Sequence, residues 1–232
     1  VPLEKEISME GAKKALKSKN KKYYRDELNL FDFPNEKKIV FSGWRFILQD
    51  KDIIPPSKDL LFKKQKNLDY EFFNTPLWLR KEFYDFLKNF KPIPSLMKKI
   101  KEFSEKENIS EAIGVHMRRG DFKESQEVSS DKRFLDEIEK IIKKDQKAKF
   151  FLCTDSKDSE NLIKKKFGEK IIIYPKRNFN RLEKEFLQEG LVELFLLSKT
   201  KKIIGSYLSS FTEMAWWLGG CKAEIKILAN KE

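Results

Sequence analysis

The feature that most constrains this chain is a regular alternation of short apolar runs and amphipathic stretches, which starts at Ala112 and continues to Leu228. Ala112 to Met117 reads as a buried strand, and Ser130 to Lys144 places Phe134, Leu135, Ile138, Ile141 and Ile142 at helical spacing. Lys149 to Thr154 reads as a second strand, and Ser156 to Phe167 as a helix closed by Gly168. A strand at Ile171 to Tyr174, a long amphipathic helix from Leu182 to Ser198 and a strand at Lys202 to Gly205 follow. A helix from Phe211 to Leu218, ended by Gly219-Gly220, and a strand at Ala223 to Leu228 complete the series. Apolar runs this short, separated by helices, can bury both faces only in a parallel sheet. The prediction is an α/β, doubly wound, Rossmann-like unit with right-handed crossovers.

The chain before Asn108 has a different texture. It is rich in aromatics, among them Trp44, Phe46, Phe62, Tyr70, Trp78, Phe83 and Phe90, and it carries one strand signal, Lys38 to Ser42. A helix is predicted from Leu77 to about Phe90, stopped by Pro92 and Pro94, and another from Ser95 to Lys106. The expected division is a mostly helical lobe over residues 1–108 and the Rossmann-like domain over residues 109–232. With 40% hydrophobic residues and 20 Phe, the chain has material for a substantial core.

Charge narrows the partners. The 49 Lys+Arg against 37 Asp+Glu give a formal net charge of +12, divided almost evenly between the two halves. A nucleic-acid arm would concentrate that excess, so it reads as a lysine-rich solvated surface and no nucleic acid is expected as partner. Aromatics interleaved with lysines could stack on single-stranded bases, but most fall at helical spacing with other apolar residues, as core rings do. Cys153 and Cys221 are too few for a disulfide framework or a closed zinc site; buried reduced thiols and no metal are expected. The apolar runs are shorter than a membrane span and Val1-Pro2-Leu3-Glu4 lacks a signal-peptide core, so a cytoplasmic location is expected, with peripheral membrane association left open.

Chemistry concentrates at the ends of the predicted strands. The first runs directly into His116-Met117-Arg118-Arg119-Gly120-Asp121-Phe122, which contains the sole histidine of the chain. In open α/β sheets ligands sit beyond the carboxyl ends of strands, and paired arginines suit a diphosphate because each offers a planar donor fork. An isolated Arg-Gly-Asp after a strand is more often a turn with a surface ion pair. Thr154-Asp155-Ser156 ends the second strand. Asp155 would face the same crevice and could accept from a base or ribose, while Ser156 reads as a helix N-cap. Ser209-Ser210-Phe211 opens a helix whose first amides could bind an anion; the alternative is a capping box of Ser210 and Glu213. In the first lobe, Gly43-Trp44-Arg45 could contact a ligand or close a turn.

The stretch Val115-His116-Met117-Arg118-Arg119-Gly120-Asp121-Phe122 resembles the His-x-Arg-Arg-Gly-Asp-aromatic motif of the α-1,2-fucosyltransferases and the related α-1,6 and nodulation fucosyltransferases. Ser209-Ser210-Phe211, with Trp216 and Trp217 behind it, is similar to a second segment of that family. The resemblance covers residues 111–232 well and the Gly43-Trp44 region faintly. It implies a two-lobed glycosyltransferase B fold and an inverting transfer of fucose from GDP-fucose to a glycan acceptor, with no metal and no cofactor beyond the donor. It also implies that Arg118 and Arg119 hold the diphosphate, with Arg119 at the leaving group. Asp155 would bind guanosine, Ser209, Ser210 and Phe211 would line the donor site, and Trp44 and Arg45 would face the acceptor. His116 would stand near the diphosphate; as catalytic base, Asp121 and Glu213 are candidates and a part for His116 stays open. The family's initial strand and Gly-Gly-Leu-Gly-Asn segment are not found, so the first lobe is expected to be incomplete or, alternatively, divergent. Open alternatives are another nucleotide-sugar donor, or a nucleotide- or nucleic-acid-binding protein without transferase activity.

Overall fold

The computed structural model describes residues 31–32, 77–120, 123–176, 179 and 184–229. The strand expected at Lys38 to Ser42, together with Trp44, Arg45 and Asp121, lies outside the described residues. Two helices, α1 (Leu77–Leu87) and α2 (Pro94–Lys106), precede the sheet, and the short segment Lys91–Pro92 between them pairs antiparallel with Phe31–Asp32. Pro94 occupies the first position of α2, where its missing N–H has no intrahelical acceptor to lose.

The remaining elements run β1 (Ile113–Met117), α3 (Lys123–Val128), α4 (Asp131–Lys144), β2 (Phe150–Thr154), α5 (Lys157–Phe167), β3 (Ile171–Ile173), α6 (Lys184–Leu197), β4 (Lys202–Gly205), α7 (Ser210–Leu218) and β5 (Glu224–Ile227). The five strands form one sheet in the order β3-β2-β1-β4-β5, and all four pairings are parallel. This is the order of dinucleotide-binding sheets, in which the direction of winding reverses between the first strand and the fourth. The predicted doubly wound unit is therefore present, and its switch point falls between β1 and β4.

Alternation along the strands divides the core into two layers. Val115, Met117, Phe150, Leu152 and Ile204 face Phe134 and Ile138 of α4 and Ile163 of α5. Phe151, Cys153, Ile203, Ile225 and Ile227 face the other way, toward α2, α6 and α7. Every residue of β1 and β2 is buried, which is why their sequences read as continuous apolar runs. Full burial of each such ring or branched chain contributes roughly 1.5–3 kcal/mol. At Gly114 an added Cβ would lie 2.4 Å from Leu197 Cδ1 and 2.7 Å from Thr200 Oγ1, so only glycine lets the end of α6 close against β1.

The helices carry their own boundary signals. Ser156 caps α5, its hydroxyl accepting from the Ser159 amide at 3.3 Å, as the sequence suggested. Asp131 sits in the first turn of α4 and Lys143 and Lys144 in its last, where each charge suits the helix dipole. One expectation needs correcting. Cys153 is buried but Cys221 is only half-buried, because it follows the α7 terminus with φ at +59° and turns the chain at the surface; both thiols are free.

Candidate functional site

The carboxyl ends of β1 and β4 meet at the switch point. His116, the penultimate residue of β1, points to the α7 layer, where its Nδ1 lies 2.8 Å from Thr212 Oγ1 and 3.2 Å from Ser209 Oγ. Its ring stacks on Phe211 at 4.6 Å with an interplanar angle of 24°. Burial, helped by the charges of Arg118, Arg119 and Lys176 and opposed by Asp155, pushes the imidazole down to about 3. At neutral pH it is therefore an uncharged ring among hydroxyls. Ser209, not Ser210, is the N-cap of α7, and its hydroxyl makes no capping bond; it serves His116 instead, so the capping box of Ser210 and Glu213 is not the observed arrangement. Ser210 is the first residue of the helix and is half-buried. Leu208, just before the cap, is held at φ +49°, a left-handed conformation that costs a leucine about 1–2 kcal/mol. Gly205 is required by the same packing, since a Cβ there would lie 2.5 Å from Thr212 Cγ2.

Beyond Met117 the two arginines part. Arg119 turns into the α4 layer, 9% exposed, with its guanidinium 5.3 Å over the Phe134 ring. Its Nε donates to Asp131 Oδ1 at 2.7 Å, Nη1 to the Arg118 carbonyl at 2.8 Å and Nη2 to the Ser129 carbonyl at 2.9 Å. Its own carbonyl accepts from Gln126 Nε2 of α3. Arg118 keeps 30% of its side chain exposed, and its Nη1 donates to Asp155 Oδ2 at 3.0 Å. Asp155 also accepts from the Arg119 amide at 2.7 Å. Burial opposes its ionisation, but hydrogen bonds from the Arg119 and Gly120 amides and the nearby Arg118 charge outweigh that, holding its carboxyl below the usual range. Asp155 is thus the ionised cradle of the arginine turn.

The site is bound together by residues whose sequence gave no motif. Ser206 Oγ donates to the His116 carbonyl at 3.2 Å and accepts from the Arg118 amide at 2.9 Å. Ser129 Oγ donates to the Leu228 carbonyl at 2.8 Å and accepts from the Tyr207 amide at 2.8 Å. Thr154 Oγ1 donates to the Met117 carbonyl at 2.9 Å. Each hydroxyl joins one strand exit to another and occupies carbonyl and amide groups that the ladder no longer pairs. The arrangement can do one thing well: present the Arg118 guanidinium, held by Asp155, at the carboxyl end of a parallel sheet whose switch point also carries the start of α7, where an anionic ligand is favoured. Among the described residues no group of His, Cys, Asp and Glu could hold a metal ion, and no helix is long and apolar enough to cross a membrane.

No protein-family model matches this chain, and neither does any curated protein. Among solved structures it is similar to the α-1,6-fucosyltransferase NodZ soaked with GDP-fucose, with 19% identity, a TM-score of 0.48 and coverage of 84% of this chain and 77% of that one. It is also similar to a mutant of Arabidopsis thaliana FUT1 in complex with GDP, at 20% identity and TM-score 0.47, covering 71% of this chain and 40% of that one. POFUT1 in complex with GDP follows at 13% identity and TM-score 0.45, covering 66% and 52%. The neighbours are fucosyltransferases. This chain spans 61% of the length of NodZ co-crystallised with GDP. At such identities the chemistry has to be read from the residues of this chain.

A second polar cluster, which no motif announces, lies at the exits of β2 and β3. Lys176, three residues past β3, has a side chain only 2% exposed. Its ammonium donates to the Thr154 carbonyl at 2.6 Å, and lies 3.0 Å from Glu193 Oε1 of α6, 3.8 Å from Glu160 Oε2 of α5 and 4.7 Å from the Phe179 ring centroid. Glu160 also pairs with Lys157 at 2.6 Å. Burial, with repulsion from Glu160 and Glu189, pushes Glu193 up to about 7 despite the attraction of Lys176.

Proposed function

We propose that this chain is a glycosyltransferase of the B type that transfers fucose from GDP-fucose to a glycan acceptor, with inversion and without a metal ion. In this reading residues 109–232 form the donor-binding domain, and residues 1–108, with Trp44 and Arg45, belong to the acceptor side. The observation that carries it is the coincidence at one switch point of His116 to Gly120, from the fucosyltransferase-like stretch, and the Ser209-Ser210-Phe211 helix start, in a sheet of nucleotide-binding order.

The division of labour follows from exposure. Arg118, 30% exposed, contacts the diphosphate, whose negative charge grows as the sugar–phosphate bond breaks; a fixed guanidinium stabilises that charge more in the transition state than in the ground state. Arg119, at 9%, has its donors directed at protein acceptors and holds the turn in place. The leaving-group contact, which the resemblance implies for Arg119, is thereby assigned to Arg118. His116 is a neutral packing partner of Phe211 rather than a proton carrier. Asp121 is the candidate base: it takes the proton of the acceptor hydroxyl as that oxygen bonds the anomeric carbon and GDP departs.

Isothermal titration with GDP tests the reading. Wild-type protein is expected to bind, and Arg118→Ala to weaken binding roughly 10- to 100-fold, the loss of a charge-assisted hydrogen bond, with little change in Tm. Salt-sensitive binding of a short oligonucleotide without any GDP signal would overturn it.

A further inference from the structure

We infer that Lys176 is a positioning residue of the donor site, an internal cation that clamps the exit of β2 so that Asp155 meets the arginine turn. The inference deepens the proposed function and rests on it for its bearing on GDP.

The register shows why a clamp is needed. β3 ends at Ile173, which pairs with Leu152, so Cys153 and Thr154 run on past their last partner on that side. On the other side Thr154 still pairs with Met117. A buried carbonyl beyond the ladder needs a donor, and Lys176 supplies one at 2.6 Å. The next residue is Asp155, whose carboxylate accepts from the Arg119 amide at 2.7 Å and from Arg118 Nη1 at 3.0 Å. The line of contacts therefore runs from Glu193 through Lys176 and Thr154 to Asp155 and the arginine turn.

The composition of the cluster supports a positional role. Burying an ammonium and its carboxylate seldom adds net stability over an apolar pair of the same size, so the ion pair is a weak way to hold a core together and a good way to hold one geometry. Lys176 is an unusual choice for anything else: it touches the backbone of one strand exit and carboxylates from the two helices flanking it, α5 and α6. Phe179 caps it on one side and is shared with Lys157 at 5.6 Å.

The test replaces both partners together, K176M with E193Q, so that no uncompensated charge stays buried; Glu160 keeps Lys157. Amide exchange followed by NMR is the primary readout. Exchange of the Arg119 and Gly120 amides is expected to accelerate roughly tenfold, while amides within β1 stay protected. Unchanged exchange at Arg119 overturns the inference whatever GDP does. In a parallel titration, a wild-type protein that binds GDP and a double variant that binds roughly tenfold more weakly tie the clamp to the donor site. A wild type that binds no GDP removes the proposed function, and the exchange result still decides the role of Lys176.

Discussion

The two halves of the sheet's carboxyl edge solve one problem with opposite chemistry. Where β1 and β4 meet α7, beneath the ion-paired arginine turn, the contacts join hydroxyls and an imidazole kept neutral, Ser206, Ser209, Thr212 and His116. At the exits of β2 and β3 the backbone is held by a buried ammonium among carboxylates, Lys176 with Glu193 and Glu160. Neutral anchors lose a hydrogen bond when one member goes. The ionic cluster leaves a buried charge, so it should be the brittle half, and the two halves should answer acid in opposite directions.

The largest effect is expected from Lys176→Met alone, which strands Glu193 of α6 while Glu160 of α5 keeps Lys157. Urea denaturation should show a loss of about 3–5 kcal/mol, mostly restored by adding Glu193→Gln. A loss below that of a single hydrogen bond would erase the distinction between the halves. On the neutral side, Gly205→Ala forces a Cβ to 2.5 Å from Thr212 Cγ2 and displaces the partner of His116. A cost of about 1–3 kcal/mol in the same assay is expected.

The smallest effects sharpen the comparison through pH. Glu193 binds its proton up to about 7 in the folded chain against an ordinary 4.5, so the folded state holds the extra proton and stability falls as pH rises across that interval. His116 is the reverse. Held down to about 3 against an ordinary 6.5, it is protonated mainly in the unfolded chain, and the stability it contributes at neutral pH is lost as pH falls from 6.5 toward 3. Denaturation midpoints of Glu193→Gln and His116→Gln, measured across pH, should therefore depart from wild type with slopes of opposite sign.

Much of the fold was legible because it rests on local pattern. The runs at Ile113–Met117 and Phe150–Thr154 are buried on both faces and bounded by charge, and the observed strands differ from the expected ones by a residue or so at their ends. Helix α3 was not foreseen, since in Lys123–Val128 a single apolar residue gives no period. Within the site, the meeting of His116 with Ser209 and Phe211 was readable from strand ends. The fate of Arg119 was not, because its partner Asp131 reads as an ordinary first-turn acid of a helix. Lys176, Glu193 and Glu160 belong to three separate amphipathic stretches, and only the topology brings them together.

Consider finally the row of side chain to backbone bonds that crosses the whole edge: Lys176 to Thr154, Thr154 to Met117, Ser206 to His116, and Ser129 to Leu228. On the proposed reading, a diphosphate reaching this edge meets backbone whose torsional freedom was already lost on folding. Its association would then forfeit chiefly the ligand's own translation and rotation, so that few contacts suffice. The expected signature is calorimetric: little entropic penalty from the protein, and an affinity that survives cooling.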